Sequence, residues 1–268
     1  MGKKGFVRRI KIKGDIEFET AFHVGSGKEG DLASDMGVLL DRRGEPILPG
    51  SSLKGNFRST AERLAPHLKL TACLLDGSLS GVSCVTDESY RKGVHEEFKN
   101  LGSEAEKLKW LQRHTCDVCM LFGSPYQGSH IYFSDGALKE WGKSIQVRDG
   151  VCIDRDSHTA VHGAKYDYEV VGPGAQYTIQ IELEDPTDED VALVAAVVAE
   201  WEVGCRIGGF TSRGLGRAKL KDVAVSTVDY GNAEHLRAYL IDRKMQETPA
   251  LLNEALRRVL DARGDGSA

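Results

Sequence analysis

Two segments of this sequence combine small residues, hydroxyl groups and cations in the way that anion-binding loops do. The first is PGSSLKG at residues 49–55, directly before a helical stripe of apolar residues. The unpaired N–H groups at a helix N-terminus carry partial positive charge, and Lys54 adds a full charge. The spacing of a Walker A loop is absent. The segment therefore predicts a general phosphate cradle, with a plain capped helix start as the alternative.

The second segment is IGGFTSRGLGRAKL at residues 207–220. Its glycines allow the backbone to approach a ligand closely, and Arg213 and Arg217 supply positive charge. A tight turn between a helix and a strand is the alternative. Two anion-friendly loops in one chain favour a polyanionic ligand more than either loop does alone.

An acidic loop precedes the first of these segments, near the start of the chain. Residues 23–37 are small, polar and glycine-rich, and they include Asp31 and Asp35. Carboxylates beside an anion site can bind Mg²⁺, or assist the attack of a ribose 2′-OH on its neighbouring phosphate. Taken alone, however, this chemistry favours the alternative of a solvated acidic loop.

Four of the six cysteines have a spacing that suits a metal. They are separated as Cys73-x10-Cys84-x31-Cys116-x2-Cys119, and four thiolates suit tetrahedral zinc. Only the C-x-x-C pair is diagnostic, so His67, His95 and His114 are substitute candidates. A closed shell of four ligands leaves no site for water, which predicts a structural zinc.

A redox-active C-x-x-C pair is the rival interpretation of these cysteines. It is not favoured, because the pair does not stand at a strand-to-helix junction of a βαβ pattern. The other two cysteines, Cys152 and Cys205, stand singly in apolar strings. They are expected to be small core residues.

The elements that position these residues follow from hydrophobic periodicity. Val7–Glu19 alternates with period two and predicts a long half-buried strand with a bulge or bend at Gly14. The stripe from Leu53 to Ala65 predicts a helix, capped by Ser51 or Ser52 and closed by Pro66. Later segments predict a strand at 177–183, a helix opened by a capping box of Thr187 and Asp190, and a closing strand at 218–225.

The remaining segments predict additions to this core. Residues 67–130 hold four cysteines and form an insertion with a helix around Val94–Trp110. A short strand follows at 130–135. Residues 145–171 predict a hairpin whose polar excursion, Asp154 to Tyr168, is exposed. The order is then strand, helix, strands, helix, strand, which is the α+β ferredoxin-like (RRM-like) βαββαβ plan. The predicted domain covers residues 1–226, and residues 227–268 form a helical tail.

Composition excludes several classes of protein. The chain has 268 residues, 41% hydrophobic and 28% charged, so it can build a core and is not wholly disordered. No run approaches the roughly 18 apolar residues of a membrane span, and no apolar signal segment follows the basic start, so a cytoplasmic protein is expected. The net charge is −5, yet residues 1–70 hold 13 Lys or Arg against 9 Asp or Glu. This local excess points weakly to a polyanion.

Taken together, the motifs resemble the RAMP-superfamily backbone subunits of type III CRISPR effector complexes over roughly residues 7–226. The resemblance is carried by HVGSG, the acidic loop, PILPGSSLKGNFR, CDVCMLFGSP, HIYFSDGAL, VCIDRDSHTAVHGAKYDYEVV and GGFTSRGLGRAKL. It implies a guide CRISPR RNA, a paired target RNA, copies of the chain and other CRISPR effector subunits as partners, in a prokaryotic cytoplasm. It also implies that the guide lies on the sheet face and glycine loops, while a hairpin thumb wedges into the guide–target duplex.

The resemblance also implies roles for individual residues. The aspartate in the family's catalytic place is Asp35, with Asp31 as the second choice, acting with Mg²⁺ or Mn²⁺ on the target RNA. Here Asp-Met-Gly replaces the family's usual Asp-Ser-Pro, which bears on activity rather than on binding. The implied RNA-binding residues are His23, Gly25, Gly50, Ser51, Ser52, Lys54, Arg58, Arg155, Gly208, Gly209, Arg213, Gly214 and Gly216.

Three other functions stay open at this point. The chain can be a scaffold of the same complexes with an inert acidic loop. It can process guide precursors with His23 as general base. It can also be a zinc-stabilised protein-interaction module that binds no RNA. The thumb is either the 154–168 excursion or part of the 67–130 insertion.

Overall fold

The structure is a computed structural model that describes residues 5–28 and 34–264. Within them the strands, in chain order, are β1 (Arg8–Phe18), β2 (Ile131–Phe133), β3 (Ala137–Glu140), β4 (Ile145–Ile153), β5 (Ala160–Val171), β6 (Gln176–Glu184), β7 (Cys205–Arg206), β8 (Arg217–Asp229) and β9 (Gln246–Glu247). The α-helices are α1 (Gly50–Leu64), α2 (Gly77–Ser80), α3 (Glu88–Lys99), α4 (Glu104–His114), α5 (Asp117–Phe122), α6 (Asp188–Val203), α7 (Ala233–Asp242) and α8 (Leu251–Gly264). The predicted α+β class is confirmed.

The main sheet has the strand order β2-β6-β1-β8-β7, with β3 also beside β6 and β9 also beside β8. Its strand pairs are antiparallel. β1 lies in the centre and alternates as predicted, with Ile10, Ile12, Ile16 and Phe18 buried. Its register against β8 shifts between Lys13 and Asp15, which confirms the irregularity predicted at Gly14. Helices α1 and α6 pack against each other and share one hydrophobic core with the buried face of β1.

The predicted serine cap of α1 is wrong. The helix begins at Gly50 with Pro49 as its N-cap, and no side chain of the cap residue bonds to it. The Gly50 N–H instead donates to Asp135 Oδ1 at 2.7 Å. A carboxylate from the segment between β2 and β3 therefore satisfies this end of the helix, so it begins before both serines. The capping box of Thr187 and Asp190 at α6 is confirmed.

The insertion at 67–130 contains α2 to α5. The single helix expected around Val94–Trp110 is wrong, because α3 ends at Lys99 and α4 begins at Glu104. Ser103 and Glu106 form a capping box that starts the second helix. The two helices meet in a small core of their own around Trp110, Leu111 and Val85.

β4 and β5 form a separate two-stranded antiparallel sheet, joined by a turn at residues 154–159. This hairpin arm confirms the predicted hairpin, but the exposed excursion predicted from Asp154 to Tyr168 is too long, because β5 begins at Ala160 and Tyr168 is buried. The prediction that Cys152 is a core residue is wrong: Cys152 is exposed, because it lies in the outer part of an arm that has no second layer there. Cys205 is buried as predicted.

The C-terminal segment, residues 227–264, packs against the main sheet and its helices. β9 pairs with β8, and α8 packs against α6. The division of the chain at residue 226 stays a prediction. No helix in the described part of the chain is long and apolar enough to cross a bilayer.

Candidate functional site

Cys73, Cys84, Cys116 and Cys119 are brought together at the base of the insertion. All four are buried, their sulfur atoms lie within 4.8 Å of one another, and Cys73 Sγ is 3.6 Å from Cys119 Sγ. Tetrahedral zinc with bonds of about 2.3 Å needs sulfur atoms roughly 3.8 Å apart. The four free thiols therefore fit a metal of that size. We call them the cysteine cluster.

Two of the histidines weighed as substitute ligands are engaged elsewhere. His114 Nδ1 lies 2.7 Å from the Tyr90 hydroxyl, and His95 Nδ1 lies 2.6 Å from the Tyr126 hydroxyl. Among the described residues, the cysteine cluster is the one group of three or more candidate ligands that converges closely enough to hold a metal unaided.

The surroundings of Cys119 favour its thiolate form. Hydrogen bonding from Cys116, and then from Cys73, lowers the pKa of Cys119 to about 7. The Thr86 hydroxyl and Arg58 Nη2 each donate to Cys119 Sγ at 3.1 Å. The structure thus places Arg58 on the cysteine cluster, where the family resemblance had implied RNA.

Several polar groups of the PGSSLKG segment already have hydrogen-bond partners within the protein. Gly50 is buried, and a Cβ built on it would lie 2.6 Å from the Phe133 carbonyl oxygen. Lys54 Nζ donates to Ser129 Oγ at 2.8 Å and to the Ile131 carbonyl at 3.3 Å. Burial, and then the charge of Arg58, lowers the pKa of Lys54. Ser51 is exposed and Ser52 half-buried, so these two hydroxyls are the reachable groups of the segment.

Residues 207–216, here called the glycine loop, pack against His23 backbone to backbone. Gly209 N–H donates to the His23 carbonyl at 2.8 Å. Gly208 has φ +97°, and a Cβ on it would lie 2.3 Å from the same oxygen. Gly216 has φ +74°, and its N–H donates to the Ala21 carbonyl at 2.8 Å. Glycine is therefore required where the two segments touch.

His23 itself is buried rather than presented to a ligand. Its exposed fraction is 6%, and Nδ1 lies 2.7 Å from the Glu169 carbonyl oxygen. Gly25 gives the ring space, since a Cβ there would lie 3.0 Å from His23 Nε2. The ring organises the junction between the HVGSG segment and the glycine loop.

The glycine loop also reaches the base of the hairpin arm. Phe210 stacks on Tyr168 with ring centroids 4.4 Å apart. The exposed Arg213 donates to the Tyr166 hydroxyl and lies over the Phe210 ring at 5.7 Å. These aromatic residues were not predicted from the sequence. The available signals were Phe210 inside a glycine-rich run and the spacing Tyr166-x-Tyr168 on one face of a strand.

Asp35 lies at the same hairpin base. It is exposed, and Oδ2 accepts the Asp167 N–H at 2.9 Å, while the next residue, Met36, forms a bridge with Tyr168. The neighbouring Asp149 carboxyl, and then burial, raises the pKa of Asp167, and the charge of Asp35 adds to this shift. Three carboxylates therefore gather where the arm leaves the body.

Lys165 is a cation that contacts two of these carboxylates. Lys165 Nζ lies 3.4 Å from Asp149 Oδ1 and 3.8 Å from Asp167 Oδ1. Mg²⁺ commonly binds one or two protein carboxylates and completes its shell with water and substrate phosphate oxygens. Asp35 and Asp167 offer that kind of ligand. Asp31, the second choice for the catalytic residue, lies outside the described residues.

The predicted site residues therefore fall into separate places. Asp35, the glycine loop and the His23–Gly25 segment meet at one end of the sheet, beside the hairpin base. Lys54 contacts the β2 edge, whereas the glycine loop follows β7 at the other end of the strand order. Arg155 is exposed in the turn at the tip of the hairpin arm, and Gly214 is exposed in the glycine loop.

An antiparallel sheet backed by two helices, a glycine loop packed against the His23–Gly25 segment, and a projecting arm define a class of protein, and comparison with known proteins agrees. The model of the RAMP superfamily matches residues 15–219, so the chain belongs to the RAMP superfamily. This confirms the family expected from the motifs.

Two curated relatives are similar over most of their length. The "CRISPR system Cms endoribonuclease Csm3" of Methanocaldococcus jannaschii is 23% identical over 230 residues, which cover 80% of this chain and 79% of that protein. The protein of the same name from Enterococcus italicus is 25% identical over 225 residues, covering 82% and 93%.

Proposed function

We propose that this protein is a guide-RNA-binding backbone subunit of a type III CRISPR complex and cleaves the paired target RNA at Asp35. One observation carries the proposal: Asp35 lies at the base of the hairpin arm, beside the glycine loop and the His23–Gly25 segment. The core is then ferredoxin-like, the arm is the thumb, and copies of the chain follow one another along the guide in a prokaryotic cytoplasm.

The glycine loop supplies the means of holding a strand without reading its bases. Gly214 is exposed and has nothing within 4 Å of the place of a Cβ, so a sugar–phosphate backbone can approach the protein closely there. Arg213, exposed and stacked near Phe210, supplies a cation beside this glycine. Base pairing between guide and target then provides sequence specificity, while the protein recognises the shape of the backbone.

Cleavage needs no nucleophile from the protein, because RNA carries its own 2′-OH. The 2′-oxygen attacks the adjacent phosphorus and loses its proton, the bond from phosphorus to the 5′-oxygen breaks, and that oxygen takes up a proton. The products are a 2′,3′-cyclic phosphate and a 5′-OH. Asp35 accepts the 2′-OH proton, or binds the metal ion, and the arm unstacks one nucleotide so that these atoms come into line.

A Mg²⁺ or Mn²⁺ ion fits the hard oxygen donors at this place. Asp35 and Asp167 would hold it, and it would supply charge stabilisation at the phosphate. The Asp167 N–H bond fixes the carboxylate of Asp35 against the arm. An arm wedged into the duplex and the carboxylate beside its base would therefore move together.

The cysteine cluster is proposed to hold structural zinc. Four thiolates close the coordination shell and leave no position for a reacting water. The ion would join the first part of the insertion, at Cys73 and Cys84, to α5, which carries Cys119 and begins after Cys116. A reducing compartment would keep the thiols available.

The test of the catalytic claim is Asp35→Ala in the assembled complex with guide and labelled target. Loss of the acidic group should lower the cleavage rate by about 100-fold or more at the position facing each copy, with assembly and guide binding unchanged. Asp261→Ala, at an exposed position of α8 away from the arm, is the matched control. Unchanged cleavage in both Asp35→Ala and Asp31→Ala would leave the non-catalytic scaffold as the function.

The other functions have their own tests. His23 as a base for guide processing is disfavoured by its burial, and intact precursor processing in His23→Ala would exclude it. A protein-interaction module without RNA is excluded if the purified chain binds RNA with an affinity that falls as salt rises.

A further inference from the structure

A pocket of about 390 Å³ lies where the insertion meets the first turn of α6, and no residue proposed for RNA contact or cleavage lines it. Its lining contains no lysine or arginine. Four carboxylates line it, those of Asp117, Asp185, Glu189 and Asp190. Four apolar side chains complete its walls, those of Leu70, Leu108, Met120 and Leu193. We call it the acidic pocket.

Each carboxylate of the acidic pocket keeps at least one oxygen atom free of hydrogen bonds from the described residues. In Asp117, Asp185 and Asp190 one oxygen accepts a backbone N–H at 2.7–2.9 Å, and the other accepts none. The Glu189 side chain is exposed and has neither a hydrogen bond nor an ion pair with a described residue. Burial, and then the charge of Glu189, raises the pKa of Asp190. A cation placed between these side chains would favour their charged forms.

Two buried oxygen atoms of the pocket lining have no hydrogen-bond partner. Thr115 is only 7% exposed, and its Oγ1 forms no hydrogen bond with the described residues. Gln127 Nε2 lies 2.7 Å from His130 Nε2, and Gln127 Oε1 has no partner. A buried oxygen without a partner is unfavourable, because it has lost its bonds to water and gained none. A ligand that brings N–H donors into the pocket would supply the missing bonds.

The arrangement of these acceptors favours a guanidinium group over other cations. In the described part of the chain only the cysteine cluster brings three candidate ligand atoms within 4.8 Å, so these carboxylates do not converge on one metal ion. No Phe, Tyr or Trp lines the pocket to form a cage for a methylated ammonium group. A guanidinium has five N–H donors in one plane and can reach several separate acceptors at once. The aliphatic stem of an arginine would pack on the apolar walls.

We propose that the acidic pocket binds an arginine side chain of a basic partner protein. Leu108, one of its apolar walls, is 51% exposed, and an apolar rim beside a buried anchor is typical of protein interfaces. Such interfaces are enriched in arginine and depleted of lysine. The net charge of −5 attracts a basic protein, whereas a second copy of this chain carries the same negative charge. Neither guide binding nor cleavage in the proposed function uses this pocket.

The experiment uses a methionine methyl group as the reporter of binding. The full chain is labelled with ¹³C at its four methionine methyl groups, and the NMR signal of Met120, in the pocket wall, is assigned with Met120→Leu. Met245, which lies beside Ser226 of β8, is the internal reference. The probe is the peptide acetyl-Gly-Arg-Gly-amide. The same peptide with citrulline keeps the shape of the side chain without its charge, and spermidine tests a free polyamine.

We expect the arginine peptide to move the Met120 signal in a saturable way and to leave the Met245 signal in place. The citrulline peptide should bind at least about 10-fold more weakly, because it forms no charge-assisted hydrogen bonds. Glu189→Lys should weaken the arginine peptide by at least about 5-fold. The matched control is Glu202→Lys at an exposed position of the same helix, which should stay within about 2-fold of the unchanged protein.

A second variant tests the buried hydroxyl group. Thr115→Val keeps the shape of the side chain and removes an oxygen that has no partner. We expect its melting temperature to equal or exceed that of the unchanged protein, and its affinity for the arginine peptide to fall by at least about 3-fold. A side chain with a merely structural role would not weaken binding while the fold stays as stable.

Several outcomes would overturn the inference. They are no saturable movement of the Met120 signal, equal binding of the citrulline peptide, or unchanged affinity in both Glu189→Lys and Thr115→Val. Tighter binding of spermidine than of the arginine peptide would assign the pocket to a polyamine instead. Movement of the Met120 signal as the protein alone is concentrated would assign it to a contact between copies. Each of these results leaves the proposed function standing, because that function is tested at Asp35.

Discussion

Arg58 Nη2 donates a hydrogen bond to Cys119 Sγ at 3.1 Å, while its Nε donates to Glu62 Oε1 at 2.9 Å. This guanidinium joins α1 to the cysteine cluster across 61 positions of sequence. Four thiolates around a divalent ion carry a net charge of −2, and a hydrogen-bonded cation reduces that charge in a buried place. Arg58 is therefore a positioning residue for the proposed zinc site.

Arg58→Gln should weaken the retention of zinc. The variant keeps a polar side chain of moderate length but removes the positive charge beside Cys119. Loss of a hydrogen-bonding partner of a metal ligand costs about 10-fold to 100-fold in metal affinity. The measurement is the rate at which zinc passes from the loaded protein to a coloured chelator, and we expect at least a 10-fold faster transfer.

Arg63→Gln is the control for that experiment. Arg63 lies on the same helix, but its Nε donates to the Ser59 carbonyl at the exposed surface. Its variant should release zinc at the rate of the unchanged protein. Equal rates in all three proteins would show that Arg58 does not act on the cluster.

The cysteine cluster itself predicts a contrast between two buried cysteines. Cys84→Ser should purify with little zinc and with a lower melting temperature, because three thiols cannot complete the shell. Cys205→Ser is the control, since Cys205 is buried beside β8 outside the cluster. Elemental analysis of the purified proteins gives the metal content. Full zinc occupancy in Cys84→Ser would remove Cys84 from the ligand set.

Short-range sequence patterns were enough to predict the features that depend on residues close together in the chain. The alternation from Ile10 to Phe18, the irregularity at Gly14, the Thr187–Asp190 capping box and the hairpin arm each follow from residues close together in the chain. The C-x-x-C pair belongs to the same kind, because its two cysteines lie within one short stretch at the start of α5.

Local pattern could not find the contacts that join distant segments. Asp135 caps Gly50 from 85 positions away, and Asp35 meets Asp167 from 132 positions away. Nothing in the short-range spacing of PGSSLKG shows that a carboxylate already occupies the helix end. The contact of Arg58 with Cys119 is of the same kind, since the two residues are 61 positions apart and no short-range pattern links them.

Gly208 lies so close to the His23 carbonyl that adding one methyl group to this glycine should lower the stability of the protein strongly. Gly208→Ala would place a Cβ 2.3 Å from the His23 carbonyl at φ +97°, so strain and overlap add. We expect a loss of about 2–4 kcal/mol in the free energy of unfolding, measured by urea denaturation.

Gly214→Ala separates the two causes of that loss. Gly214 has φ +88° with no atom near the place of a Cβ. Only conformational strain remains there, at about 1 kcal/mol. A loss in Gly208→Ala as small as that in Gly214→Ala would mean that the loop moves away from His23 without cost.

The hydrogen bond between Asp15 and Lys139 predicts a dependence of stability on pH. Lys139 Nζ lies 2.5 Å from Asp15 Oδ2, and this bond lowers the pKa of Asp15. A carboxyl whose pKa is lower in the folded protein stabilises the fold at pH values above its unfolded pKa of about 3.9, and that contribution is lost as the pH falls further. Asp15→Asn should therefore be less stable than the unchanged protein at pH 7, and the difference in the free energy of unfolding should be smaller at pH 2.5, by urea denaturation at each pH. Asp156→Asn, in the exposed turn of the arm, should match the unchanged protein at both pH values. A constant difference between Asp15→Asn and the unchanged protein across this range would assign the loss to altered packing rather than to charge.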